Sequence, residues 1–201
     1  MGYFPFCIDI SSKKCVVVGG GIVAKRKVEK LLPYEPKITV VAPKICEFLR
    51  DCDGITLVER EFEPADLDGA FFVIGATDNE AVNAEIFRLC TEKNILVNVV
   101  DDKEKCGFIF PALVKKGDIS IGVSSSGSSP VFSKYIKEKI EGILSESELE
   151  KGRILSDCRE KVKRELPTES QRKIAFEEIL RLSENGLQID IERVIDEVKR
   201  R

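Results

Sequence analysis

Histidine occurs nowhere in the 201 residues. That removes both the usual proton carrier near neutral pH and the commonest metal ligand, so acid–base work falls to carboxylates, thiols, hydroxyls or amines. Long apolar runs are also missing. None approaches the roughly 20 residues of a membrane span, and no hydrophobic leader follows Met1, so the expectation is a cytoplasmic protein with no membrane partner. The seven cysteines (Cys7, Cys15, Cys46, Cys52, Cys90, Cys106 and Cys158) form no C-x-x-C pair, and an odd count without metal spacing reads as reduced thiols. Charge excess is absent too: 32 basic against 35 acidic residues leave a net charge of −3, which gives no reason to expect nucleic acid. Neither an internal repeat nor a low-complexity linker interrupts the chain. What is present, 43% hydrophobic and 33% charged residues, describes a soluble globular protein with enough apolar side chains for a core. The length allows one ordinary domain and a smaller appendage.

The most informative stretch is Cys15-Val16-Val17-Val18-Gly19-Gly20-Gly21-Ile22-Val23-Ala24. A β-branched run ends in three glycines, and a helix-period pattern follows, with Val23, Val28, Leu31 and Leu32 as its apolar positions. Strand, tight turn and helix in that order are the context of the G-x-G-x-x-A dinucleotide fingerprint. Gly19 permits the sharp turn, Gly21 lets backbone approach a pyrophosphate, and Ala24 lets the helix pack closely on the strand. The first-turn N–H groups of the helix, around Gly20, Ile22 and Val23, then face the phosphates.

The remaining elements repeat the alternation. Tyr3–Ile10 reads as an edge strand, Lys37–Ala42 as the second parallel strand, a helix follows from about Lys44 to Cys52, and Ile55–Val58 is the third strand. Phe71–Ala76 is the fourth strand, Glu80–Glu92 a helix and Ile95–Val100 the fifth strand. This spacing predicts an α/β fold with a Rossmann-type parallel sheet. Beyond Asp101 the pattern changes. Phe108–Val114 and Asp118–Val123 read as a hairpin around Lys115-Lys116-Gly117, followed by a serine-rich loop and a helix from Pro130 to about Leu144. Charged helix formers then predict helices at about 146–166, 169–182 and 191–200. The expected organisation is a dinucleotide-binding domain over 1–112, a small hairpin-plus-helix segment over 113–144, and a C-terminal helical domain over 145–201.

The second strand ends Val41-Ala42-Pro43-Lys44, without the carboxylate that holds the adenosine ribose in many NAD-binding units. Backbone, or Pro43 and Lys44, must do that work, and NAD versus NADP stays open. The ends of the fourth strand (Thr77, Asp78) and fifth strand (Asn98-Val99-Val100-Asp101-Asp102) fall at the sheet edge where ligands sit in open α/β folds. In a chain without histidine, Asp101 is the candidate general base there; paired aspartates also cap and turn chains. Tyr135-x-x-x-Lys139, with Ser124 and Ser125 upstream, imitates the catalytic set of short-chain dehydrogenases. The glycine spacing differs from theirs, and the pair falls outside the strand–helix alternation.

With these residues in view, the chain resembles the precorrin-2 dehydrogenase / sirohydrochlorin ferrochelatase family, including the N-terminal module of sirohaem synthase. The matching segments are Phe4-Pro5-Phe6, the glycine stretch over 16–27, the 40–43 strand end, Ala76-Thr77-Asp78-Asn79 with Asn83, Asn98–Asp102, Phe108–Ala112 and the serine segment over 124–131. The resemblance implies hydride transfer from precorrin-2 to NAD⁺ and, in bifunctional members, insertion of Fe²⁺ into sirohydrochlorin. It also implies a homodimer, pyrophosphate contacts at Gly19 to Val23, ribose-side contacts at Pro43 and Lys44, and Asp101 as the acid/base for both activities. No motif decides whether this chain chelates, and the identity of any metal site is open. A substrate with eight carboxylates asks for a partly cationic pocket. Candidates are Asn98, the hydroxyls of Ser124 and Ser125 and, among the lysines of 103–137, Lys134. The competing class is a non-catalytic NAD-sensing module like the regulatory domains of ion transporters. Those keep the acidic residue after the second strand that is missing here.

Overall fold

A computed structural model describes residues 3–200. Five short strands, β1 (Lys14–Val18), β2 (Lys37–Val41), β3 (Ile55–Val58), β4 (Phe72–Gly75) and β5 (Leu96–Val99), form one parallel sheet in the order β3-β2-β1-β4-β5. The chain winds outward from β1 to β3, then starts again on the other side of β1. The crevice above β1 and β4 is therefore the switch point at which such sheets take ligands. Register is tight: Val17 lies opposite Val40 on one side and Ile74 on the other.

The period-2 alternation of β1 explains how both faces are covered. Cys15 and Val17 point to a core shared with Ala24, Val28 and Leu31 of α1 (Ile22–Leu31) and Leu49 of α2 (Glu47–Arg50), all buried. Val16 and Val18 point to the opposite core, with Ile86 and Cys90 of α3 (Glu80–Glu92) and Leu67 of a 3₁₀ turn at Pro64–Leu67. Burial pushes the Cys90 thiol up to about 11, so it serves as a small apolar side chain. The Rossmann expectation is met.

Three local expectations are not. Tyr3–Ile10 forms no strand: Pro5 removes a donor, both edges of β1 are already paired, and Phe4 and Phe6 stand exposed while Ile10 alone of the run packs on the core. Val23 faces outward, and the buried stripe of α1 runs through Ala24, Val28 and Leu31, one residue out of the expected phase at its start. The helix expected over 146–166 is two, α5 (Glu146–Asp157) and α6 (Arg159–Glu165), because the chain turns at Cys158, whose N–H is shared between the carbonyls of Ile154 and Ser156.

By contacts the chain divides into two units, one comprising 1–113 with 124–129, the other 114–123 with 130–201. The hairpin β6 (Ala112–Lys116) and β7 (Ile119–Val123) turns at Gly117, φ +51°. In the second unit Lys116 donates to the carbonyls of Glu141 and Leu144 at 3.1 and 2.7 Å, closing the C-terminus of α4 (Pro130–Ile143). Its core joins Cys158, Val162 and Leu166 to Ala175 and Ile179 of α7 (Glu169–Glu184) and Val194, Ile195 and Val198 of α8 (Ile191–Lys199). Helix starts carry the caps their sequences promise: Ser145, Thr168 in a capping box with Gln171, and Asp190.

Candidate active site

The three glycines differ in what the protein itself requires of them. Gly19 has φ +126°, and a Cβ there would run into the backbone of Ala76 at the end of β4. A Cβ on Gly20 would run into the Lys44 carbonyl, while the Gly20 carbonyl accepts from Cys46 N–H at 2.8 Å. Both are fixed by packing. A Cβ on Gly21 would meet nothing within 4 Å. Its bareness answers no internal need. Gly21 is the N-cap of α1, makes no side-chain cap bond, and no acidic residue stands in the first turn. The first N–H groups of a helix have no partners within it, so this end presents donors and a positive dipole end to open space. Ile22 and Val23 are exposed beside it, as are Pro43 and Lys44 at the end of β2. An unhindered approach, free donors and apolar flanks fit a dinucleotide's pyrophosphate.

Beyond β4, Thr77 is engaged in shape rather than left free. Its hydroxyl donates to Asn83 Oδ1 at 2.8 Å, and Asn83 Nδ2 returns a bond to the Thr77 carbonyl at 3.0 Å. Asn79 caps α3 through bonds from the N–H groups of Ala81 and Val82, and Asp78 is exposed between them. The group holds the β4 turn against Gly19.

After β5 the ladder runs one residue further, Val100 N–H to the Gly75 carbonyl at 2.9 Å, and Asp101 then turns the chain with φ +64°. Aspartate tolerates this left-handed conformation. The neighbouring aspartate has a separate task. Asp102 Oδ1 accepts from the N–H groups of Glu104 and Lys105, and Oδ2 pairs with Lys105 at 2.6 Å, so it caps the 3₁₀ turn Lys103–Lys105. That pairing with Lys105 holds its carboxyl below the usual range. The chain then folds back along β5, with Gly107 N–H bonded to the Val97 carbonyl.

This return encloses an open cavity of about 380 Å³ lined by Lys27, Asn98, Asp101, Lys103, Cys106 and Phe110, among others. Among the described residues no hydrogen bond or ion pair restrains the exposed Asp101 carboxylate. Asn98 is buried, and its Nδ2 donates to the Phe108 carbonyl at 2.9 Å and to Cys106 Sγ at 3.2 Å. That fixes the amide's orientation and leaves the buried Oδ1, among the described residues, as an acceptor without a donor, a cost the protein carries. The single S–H of Cys106 is shared between the Val99 and Asp102 carbonyls, and burial raises its thiol, so it serves as a strut.

Of the other expected residues, Ser124 and Ser125 lie in the same unit as this cavity. Ser125 Oγ accepts from Ser129 N–H at 3.0 Å, Ser124 Oγ from Ser126 N–H, and Lys103 bonds the Gly127 carbonyl at 3.2 Å. Lys134 belongs to the second unit, on α4, and stands 3.7 Å from Glu138. Sequence reasoning missed Lys27. The signal was present, since Lys27 lies three residues beyond Ala24 and adjoins the buried stripe, but a Lys-Arg-Lys run reads first as a solvated face.

The chain matches two family models, a putative NAD(P)-binding family over residues 6–112 and the central part of sirohaem biosynthesis proteins over 116–143. It is 38% identical over 183 residues to the sirohaem synthase of Thioalkalivibrio sulfidiphilus, covering 90% of this chain and 37% of that protein. It is 42% identical over 147 residues to the sirohaem synthase of Pseudoalteromonas translucida, covering 72% and 31%. The chain thus spans less than half the length of these curated relatives. Among solved structures it is similar to SirC, precorrin-2 dehydrogenase, with a TM-score of 0.78, 24% identity, and coverage of 99% of this chain and 100% of that one, a likeness of fold. Among the described residues no helix is long and apolar enough to cross a membrane.

Proposed function

The chain belongs to the family of NAD(P)-binding proteins of sirohaem biosynthesis, and from that premise we propose that it oxidises precorrin-2 to sirohydrochlorin with NAD⁺. One observation supports the reading most. Helix α1 begins at an unhindered glycine turn, and the same helix lends Lys27 to the cavity that Asp101 lines. In this proposal the cofactor turn and the candidate base serve one reaction.

The oxidation removes two hydrogens from the reduced tetrapyrrole, one as hydride and one as a proton. NAD⁺, when bound, takes the hydride and leaves as NADH. Asp101 accepts the proton; it is the carboxylate of the cavity not consumed in capping. Gly19, Gly20, Gly21, Ile22, Val23 and Ala24 form the pyrophosphate cradle, and Pro43, Lys44, Thr77 and Asp78 flank it. Asn98 belongs to the substrate side as part of the cavity lining, while Ser124, Ser125 and Lys134 serve substrate carboxylates. Insertion of Fe²⁺ would require the tetrapyrrole's pyrrole protons to be removed, and Asp101 is again the acceptor within reach of the cavity. A homodimer suits the exposed Val131, Phe132 and Tyr135 of α4, and we place the protein in the cytoplasm.

The test is anaerobic incubation with precorrin-2 and NAD⁺, followed by NADH absorbance and the sirohydrochlorin spectrum. Stoichiometric appearance of both is expected. NAD⁺ binding without turnover would favour a sensing module instead.

A further inference from the structure

The cavity holds a second charged group for which the proposed reaction has so far had no use. Lys27 is half-buried, its Nζ lies 4.1 Å from the centre of the Phe110 ring, and among the described residues no carboxylate stands within ion-pair distance of it. Burial and the neighbouring Lys30 pull its ammonium below the usual lysine value, while Asp101 and Cys106 act in the opposite sense. Elsewhere in this unit Lys105 is spent on Asp102 and Lys103 on Gly127. A partly desolvated cation facing a cavity without a counter-ion is costly in the free protein, and an anionic ligand group would relieve that cost.

We propose that Lys27 anchors a carboxylate of the substrate, setting the tetrapyrrole's position beside Asp101. The inference rests on the function proposed above, from which the polycarboxylate comes. The cofactor's phosphates are the other anion at hand, but the position of the amine argues against them. Phosphates lie at the first turn, whereas the Lys27 amine rests on Phe110 in the lining of the cavity that Asp101 shares and the glycines do not. The Phe110 face holds the ammonium by its ring charge distribution, leaving N–H donors for a carboxylate.

Uroporphyrin (eight carboxylates) and coproporphyrin (four) serve as stable probes, titrated by absorbance into the full chain, with NADH fluorescence measured in parallel. Lys27→Met is expected to weaken uroporphyrin binding by about ten- to a hundredfold, the usual worth of a charged hydrogen bond. NADH affinity should remain unchanged, and Lys27→Arg should restore most of the loss. In turnover the Met variant should raise KM for precorrin-2 more than it lowers kcat. Equal uroporphyrin affinity in Lys27→Met and the unsubstituted protein overturns the assignment. A loss of NADH affinity with uroporphyrin binding intact also overturns it, in favour of the cofactor's phosphates. If the unsubstituted protein binds neither uroporphyrin nor NADH, the failure belongs to the proposed function and not to Lys27.

Discussion

The two units of this chain leave different things unexplained by their own packing. In the sheet unit, among the described residues, Gly21 is unhindered at a helix start, Asp101 stands in a left-handed turn, Lys27 has no carboxylate within ion-pair distance and Asn98 Oδ1 has no donor. In the helical unit the polar groups are satisfied close to home. Ser145, Thr168 and Asp190 cap helices, and Arg153, Arg193 and Lys199 pair with Glu150, Glu197 and Glu165. Both units expose apolar side chains, but on α4 Val131, Phe132 and Tyr135 lie on one helix, with the rings of Phe132 and Tyr135 stacked at 6.1 Å. Unspent polar groups mark a place for a small ligand, whereas unspent apolar surface marks a place for protein. The function proposed above puts chemistry in the first unit, and α4 is the surface we propose for a second copy.

The sharpest way to break that assignment is the pair Asp101 and Asp102. Asp101→Ala should lower precorrin-2 oxidation by roughly 10²–10⁴, the usual range for a lost general base, with NAD⁺ affinity near that of the unsubstituted protein. Asp102→Ala removes the cap of a short turn, so it should cost far less activity and show chiefly as a lower unfolding midpoint. Greater damage from Asp102→Ala would move the base by one residue. No effect from either would mean that the proton leaves to solvent and that the site works by positioning alone.

Next in size is the contrast within the glycine turn. Gly21→Asp places a carboxylate in open space where we propose the pyrophosphate binds. Titration calorimetry should show NAD⁺ binding weakened roughly a hundredfold or more by like-charge repulsion, with the circular dichroism spectrum unchanged. Gly19→Ala meets the Ala76 backbone at a positive φ and should instead cost about 1–3 kcal/mol of stability. If the two variants exchange behaviours, Gly21 is structural and the cofactor argument fails at its first step.

How far the sequence could be read follows the range of the interactions involved. The strand–turn–helix at Val16–Leu31 was legible because its period and its glycines are local. The place of Asp101 at a strand end was legible, and so was its choice over Asp102 as the candidate base. The capping task of Asp102 was not, since that depends on Lys105 turning back to pair with it. Lys27 stayed hidden because its cavity exists only once 103–110 folds back along β5. Tyr3–Ile10 misled for a related reason: a β-like run forms a strand only where the strand it adjoins in the chain has an edge free, and β1 is paired on both sides. The turn at Cys158 carries neither Gly nor Pro, so nothing in the composition announces it.

A smaller effect tests the helical unit's apolar face. Phe132→Asp puts a charge beside Tyr135 on a patch where Phe132 is 57% and Val131 81% exposed. If this face joins two copies, sedimentation should show the dissociation constant rising by roughly thirtyfold, a typical loss at a central aromatic contact. Thermal stability of the monomer should barely move, because the side chain is already in water. A protein that sediments as a monomer at micromolar concentration before any substitution would remove assembly from the second unit altogether.

The smallest expected effect is the one most able to disturb the division of labour. Lys134 sits on α4 with 76% of its side chain exposed, and its only described ion pair, with Glu138, is 3.7 Å long. Such a pair adds at most about 0.5 kcal/mol to a helix, so Lys134→Ala should leave the unfolding midpoint within error. As a contact to a substrate carboxylate it acts through water and salt, where a unit charge is strongly screened. Uroporphyrin affinity should therefore fall only a few-fold, and the loss should shrink further as ionic strength rises. Lys27, half-buried on Phe110, should show a larger loss that salt diminishes less. Equal losses for the two lysines, with equal salt dependence, would mean that α4 supplies a binding residue of the same rank as α1. The helical unit would then be part of the site rather than the scaffold that assembles it.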